Sequence, residues 1–529
     1  MSPRMPSRWI TSAALAGALT LTATSAVAAP TRENSNNNTT AKLTQAVSQE
    51  KLTTHLEAFQ RIADAHGGNR ASGQPGYQAS VDYVVERLRA AGYEPRVQEF
   101  QFPYFEELSP ATVTADGTAL AAEDVAVMSY SGSGTVTGTV QAVDTDGTAG
   151  SSTSGCEASD FDGFVPGNIA LIQRGECAFG VKAANAEAAG ASAVLIFNGG
   201  APGNEGVVNG TLGSPEATTL PTVGLSYAAG VGLLDAGTVT VRTETVSELR
   251  TTANVLAETR TGNPENTVVV GAHLDGVTEG AGISDNGTGS AGILAIAEAM
   301  AKTRTENQVR FAWWGAEELG LLGAEHYVGD LQDNDPEGLE DIALYLNFDM
   351  IGSPNYGRFV YDGDASAFDP GDTNVPEGSG AIEAAFHEHF AQVGLTSGET
   401  EFSGRSDYGP FIAADVPSGG LFTGAEGVKT EEQAALFGGQ AGVAYDECYH
   451  TACDDLSNVN LEGMEQMADA AAAVVLRYAT TTHDVNGVGE PYKQKGQGAL
   501  GHPQGKDRGH GPHSEHGRGH AHGHDRAAA

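Results

Sequence analysis

Basic residues are scarce: Lys and Arg number 28 against 68 Asp and Glu in 529 residues, a formal net charge of −40. A surface this acidic repels phosphate backbones and anionic lipid, which excludes nucleic-acid binding and stable membrane-surface association from the expected roles. It suits a soluble exported protein, and a monomer is expected because like-charged copies repel one another. Charged residues are few overall, at 18%, while apolar residues reach 40%, which excludes a disordered or fibrous chain and leaves room for two or three domains. No stretch after the N-terminus is long and apolar enough to span a bilayer. Cysteine is limited to four residues in two close pairs, Cys156 with Cys177 and Cys448 with Cys453. Neither pair has zinc-ribbon spacing, and the local pairing is the most economical of the three possible.

The N-terminus carries Arg4 and Arg8, then an uncharged run from Trp9 to Ala29 that closes on Ala26-Val27-Ala28. Residues 1–28 read as a secretory signal peptide; Thr and Ser dilute the run and small residues end it, which argues against a retained anchor. The expected location is therefore secreted and extracellular, where paired cysteines form disulfides. Residues 29–44, rich in Asn, Thr and Ser, are expected to be a disordered leader. Residues 486–529 hold seven of the fifteen His in a Gly-rich tail with no apolar period. Such a tail packs no core; it suits either loose metal binding or plain solvation.

Helical spacing of apolar residues covers 52–66 and 78–91, with Gly92 placed as a C-cap. The texture then turns to Val/Thr alternation and many turns, a β-rich segment over 109–247 with one clear helix at 180–189. Beyond it, 266–271 and 309–314 read as buried strands joined by a helix over 288–302. Strand, helix, strand predicts an α/β fold with a mixed, mainly parallel sheet flanked by helices. The α/β part is then split, 45–108 and 248–485, around the β-rich insertion.

Chemistry gathers at the strand ends. Gly271-Ala-His273-Leu-Asp275 places a possible metal ligand and, two residues on, a carboxylate able to orient its ring. Asp285, in Ser284-Asp285-Asn286, suits either a ligand or the cap of the following helix. Trp314-Gly-Ala-Glu317-Glu318 sets two carboxylates after an apolar strand: one can bind a metal while its neighbour takes a proton, or both can be a solvated helix start. A third strand ends on Asp349, and Asp446-Glu-Cys448-Tyr449-His450-Thr-Ala-Cys453 adds a second His in a loop that a short disulfide would fix. Two His and three carboxylates suit two divalent metals with oxygen and nitrogen ligands, zinc foremost.

These motifs, with 404–411 and 345–352, resemble the secreted M28 family of di-zinc aminopeptidases, the bacterial leucine aminopeptidases in particular. The resemblance covers 52–105 and 252–480. It implies that one zinc takes His273 and Asp349, the other Glu318 and His450, that Asp285 bridges them, and that Glu317 is the free general base. It implies further that Tyr449 hydrogen-bonds the developing oxyanion, that Arg405 helps hold substrate, and that Met350, Phe422 and Gly424 edge a pocket for a large apolar first residue such as Leu. The substrates would be the N-termini of peptides and proteins. The peptide after Asp285 is expected to be cis. Calcium is a further candidate ion. Tyr408 departs from the pattern, where many relatives have His. The insertion resembles a protease-associated (PA) domain, carried by 167–179, 182–190 and 193–198, with Cys156–Cys177 as its staple. Two other readings share these residues: a carboxypeptidase on the same core, which would need cations for a substrate carboxylate, and a receptor-type binding protein, whose relatives have lost ligands that are all present here.

Overall fold

The computed structural model describes residues 36–371 and 373–493. The expected signal peptide and most of the His-rich tail lie outside the described residues. The helices Gln49–Ala65 and Pro75–Ala91 form where the apolar spacing predicts, and Gly92 closes the second at φ 100°. The expected disordered leader is corrected at its end: Thr40–Ala46 is helical and Leu43 is fully buried. Leu43 and Val47, both without exposed surface, sit one helical turn apart and, with Ala46 beside them, anchor a segment that is otherwise largely polar.

Four parallel strands build the centre of the α/β part. Asn263–His273 lies between Asn307–Trp314 and Ile342–Phe348, and Ser418–Phe422 follows on the far side of the last. Alternate residues face opposite ways, as strand geometry dictates. Val268, Val270, Trp313, Leu344 and Leu346 join the core made with the helices Gln49–Ala65, Thr288–Met300 and Leu461–Thr480. Val269, Ala312, Trp314 and Tyr345 join a second core with Tyr327 and Phe411 on the other face. Both faces are covered, which is why these strands read as continuous apolar runs.

The insertion is tied to this sheet by an antiparallel ribbon that the sequence pattern did not reveal at its full length. Arg96–Ala115 pairs with Thr238–Glu258 from Arg96 opposite Leu256 to Ala115 opposite Val239. One end of the ribbon meets the central sheet, Trp313 opposite Val255, and the other meets the insertion, Val136 opposite Val241. Register shifts fall between Glu107 and Thr112, where the ribbon passes from one part to the other. The insertion has its own parallel set, Gly134–Ala142, Ile169–Gln173, Ala193–Phe197 and Thr222–Leu225, with the helix Phe179–Ala188 against it. The disulfides are Cys156–Cys177 and Cys448–Cys453.

Candidate metal centre and active site

Parallel register brings the strand ends together. Trp314 lies beside His273 and Asn347 beside Gly271, so His273, the Glu317–Glu318 pair and Asp349 all emerge at one edge of the sheet. Ala316 and Met350, at φ 57° and 49°, turn the chain just past the strands. Asp285 comes from the turn Ile283–Gly287 at the head of the buried helix Thr288–Met300, and the Asp285–Asn286 peptide is cis as expected.

Six predicted residues converge there. His273 Nε2 lies 3.2 Å from Asp349 Oδ1, 3.3 Å from Asp285 Oδ1 and 3.9 Å from Glu317 Oε2. His450 Nε2 lies 2.9 Å from Glu318 Oε2 and 3.1 Å from Asp285 Oδ2. Asp285 thus turns one oxygen to each imidazole. The carboxylate of Asp275 stands 3.7 Å from His273 Nδ1, while its backbone carbonyl, at 3.2 Å, is the nearer acceptor. The same carboxylate accepts the Glu317 N–H at 3.2 Å, which fixes the start of the acidic pair.

A second layer was not singled out in the sequence. Asp454 accepts the N–H groups of Ser284 and Asp285 at 2.7 and 3.1 Å, holding the turn that carries the shared carboxylate. Arg70, fully buried, donates to the carbonyls of Ala281, Leu274 and Gly282. Asn286 donates to Phe348 O at 2.9 Å and accepts the Met350 N–H at 3.1 Å, locking the turn to the Asp349 strand. From the other core, Trp314 Nε1 donates to Tyr345, Tyr345 to Asn347, Asn347 to Ser406, and Ser406 Oγ to Asp349 Oδ2 at 2.6 Å. Asn286, Trp314, Tyr345, Asn347 and Ser406 lay inside the sequence motifs without a role of their own, whereas Asp454 lay outside them and Arg70 sits in a polar turn between helices whose spacing carries no signal.

The electrostatics demand positive charge. Burial pushes the Glu317 carboxyl well above the usual range, with Asp349 and Asp407 adding to it against the pull of His273. Glu318 is pushed to about 7 by burial and then by Asp285. Asp407 is raised well above its ordinary value by burial and has no hydrogen-bond partner on either oxygen. Glu318 Oε1 is likewise buried and unpartnered. Burial opposes ionisation of Asp285, yet the hydrogen bonds from His273 and His450 bring it down to about 2. Buried carboxylates left in this state are costly unless a cation compensates them.

The donor set fits divalent metals. His273, Asp285 and Asp349 form one group of three and Asp285, Glu318 and His450 another, each with ligand atoms within 4.8 Å of one another. Neighbouring donors around a tetrahedral ion stand roughly 3.3 Å apart when bonds are about 2.0–2.1 Å. The His-to-carboxylate separations of 2.9–3.3 Å across the two groups match that spacing.

A cavity of about 200 Å³ opens on this cluster, lined by the acids and by Met350, Tyr361, Tyr408, Phe422, Glu426 and Tyr449 among others. Tyr449 stacks on His450 with ring centroids 3.9 Å apart. Arg405 reaches the cavity and pairs with Glu426 at 3.5 Å. Gly424 does not line it: at φ 98°, a side chain there would strike Tyr445, so the glycine serves the turn and Ala425 takes the place at the wall. Tyr408 packs on Tyr361 and Phe402, and its hydroxyl accepts the Gly404 N–H at 2.9 Å.

The model of peptidase family M28 matches residues 254–475, and that of the PA domain matches 136–233. The chain is 46% identical over 452 residues to an aminopeptidase of Pseudomonas aeruginosa strain UCBPP-PA14, covering 84% of this chain and 83% of the relative. It is 42% identical over 430 residues to leucine aminopeptidase 2 of Trichophyton tonsurans, covering 80% and 83%. Among solved structures it resembles the aminopeptidase from Aneurinibacillus sp. strain AM-1, with 25% identity, TM-score 0.57, and 83% of this chain and 95% of that one covered. BSAP, a zinc aminopeptidase from Bacillus subtilis, shares the fold at 23% identity and TM-score 0.51, with 82% and 98% covered. With all the predicted ligands gathered at one sheet edge and relatives this similar over most of their length, the chain belongs to peptidase family M28, a hydrolase among aminopeptidases that carries a PA domain within it.

Proposed function

We propose that this protein is a secreted zinc aminopeptidase that removes large apolar residues such as Leu from the N-termini of peptides and proteins. The observation that carries the reading is the cavity of about 200 Å³, sized for one residue, with carboxylates at its metal cluster and apolar side chains along its wall. A space of that size takes one residue, which favours a chain end over an internal segment. Acids around it favour a free ammonium over a carboxylate, and Arg405, the cation that a carboxypeptidase would need, is already paired with Glu426.

In this reading His273 and Asp349 would hold one zinc, Glu318 and His450 the other, and Asp285 would serve both. Zinc supplies Lewis acidity, polarising the scissile carbonyl and lowering the pKa of water. Glu317, left free beside the ligands, takes the proton of the attacking water and passes it to the departing amine. Tyr449 keeps its proton, since burial and then Asp285, Asp349 and Glu318 push its pKa up, and it donates to the oxygen where charge develops. Met350 and Phe422 bound the side chain of the first residue, and Arg405 with Glu426 stands over the entrance. The PA domain corresponds to 109–247 and the peptidase domain to 45–108 with 248–485.

The test is hydrolysis of leucine p-nitroanilide beside its N-acetylated form. The free amine is expected to be cleaved, the blocked form not, and a chelator should abolish cleavage until zinc is restored. Equal cleavage of both, or activity indifferent to chelation, would refute the reading.

A further inference from the structure

A second cavity, also of about 200 Å³, shares Glu318 with the first and reaches Asp275 beneath the same cluster. Its walls come from two sources. Val277, Thr278 and Leu319 belong to the loops after the metal-binding strands, whereas Tyr104 and Phe105 belong to the ribbon that carries the PA domain. These last two are firmly held. The Arg250 guanidinium lies 3.4 Å from the centre of the Tyr104 ring, Gln74 donates to the Tyr104 hydroxyl at 3.1 Å, and that hydroxyl donates to Glu106 at 2.9 Å. Phe105 meets the edge of Tyr130, from the insertion, at a centroid distance of 5.8 Å. Leu319 is 46% exposed, an apolar side chain left uncovered beside a ligand.

We propose that this cavity receives the residue that follows the cleaved bond, and that the PA-domain ribbon thereby helps to choose the substrate. The inference rests on the aminopeptidase reading. A peptide whose first residue fills the first cavity has its scissile carbonyl at the cluster, so its second residue must leave along a surface that touches the same cluster. The second cavity is such a surface. Its apolar walls select an apolar or aromatic side chain, and Glu106 and Glu279 in its lining disfavour an acidic one. The insertion adds no catalytic group; it contributes through the strand that enters it.

The experiment uses the full-length zinc-loaded protein and compares release of Leu from leucyl-phenylalaninamide, leucyl-glycinamide and leucyl-aspartamide. The kcat/KM for the Phe amide is expected to exceed that for the Gly amide by about tenfold or more, the scale on which an apolar pocket discriminates, and the Asp amide should be the slowest. In Phe105→Ala the Phe-to-Gly ratio should fall towards one. Thr278→Trp, at an exposed position where packing is not at stake, should fill the cavity and lower the same ratio. A wild-type ratio near one, or a ratio unchanged in Thr278→Trp, overturns the proposal while turnover of the Gly amide keeps the aminopeptidase reading intact. Absence of turnover of all three amides overturns that reading and the proposal with it.

Discussion

The PA insertion and the catalytic sheet are both built on buried parallel strands, and they differ at the strand ends. Ile169–Gln173 and Ala193–Phe197 are buried throughout, as is Ile342–Phe348 of the catalytic sheet. In the insertion the polar residues at the ends are satisfied by their own neighbours: Gln173 accepts from Thr145 at 2.6 Å and donates to Thr148 at 2.8 Å, and Asn198 donates to Gly206 at 2.8 Å. In the catalytic sheet the ends carry His273, Glu317, Glu318 and Asp349, which face one another and leave buried carboxylate oxygen unpaired. Strand burial builds both sheets, but only unsatisfied charge at an edge marks a reaction centre.

The sharpest way to break this contrast is to remove a ligand. His450→Ala takes away the imidazole that faces Asp285 and Glu318, and is expected to lose bound zinc and nearly all turnover, as read by metal analysis and leucine p-nitroanilide hydrolysis. Glu317→Gln should lower kcat by about 10²–10⁴-fold with zinc retained. Asp275→Asn, which weakens the support of His273 and of the Glu317 backbone, should reduce zinc affinity by roughly 10–100-fold in a chelator titration.

The two disulfides sharpen the contrast from the other side. Replacing Cys156 and Cys177 by Ser opens a loop of 21 residues in the insertion and should cost about 3 kcal/mol of stability with leucine p-nitroanilide turnover retained. Replacing Cys448 and Cys453 frees the loop of Tyr449 and His450, with a separation of only 5, and should cost turnover more than stability. The smallest effect is set by pH. Burial, then Arg87 and Lys51, brings His55 down from 6.5 to about 3, so between those values the unfolded chain binds the extra proton. Its contribution is complete above pH 6.5 and drains as pH falls, by up to roughly 1.4 kcal/mol per unit. His55→Gln should therefore flatten the fall of Tm between pH 7 and pH 5.

Of the proposed ligands, His273, Glu318 and Asp349 were legible because each stands at or just past an apolar strand, where such a residue breaks the pattern, while Asp285 and His450 were reached through the family motifs. The helices and the parallel order followed from periodicity in the same way. The supporting layer was not legible: Arg70 and Asp454 act through backbone groups 212 and 170 positions away, and a hydrogen bond of that kind leaves no trace in spacing. Gly424 shows the opposite limit, since a motif placed it at the pocket while backbone sterics give it to the turn. The long ribbon escaped notice because about a third of its residues are exposed and its register shifts midway.

The central claim, that the strand ends form a two-zinc centre with Glu317 outside the ligand set, is tested most directly by counting zinc per chain in the full-length wild type and in Glu317→Gln, with His450→Ala as the baseline for any zinc held by the His-rich tail. Two more zinc ions per chain than a ligand-depleted site retains, equal in wild type and Glu317→Gln but with turnover only in the former, is the predicted result. Loss of zinc in Glu317→Gln, or a wild-type count no higher than that of His450→Ala, would contradict it.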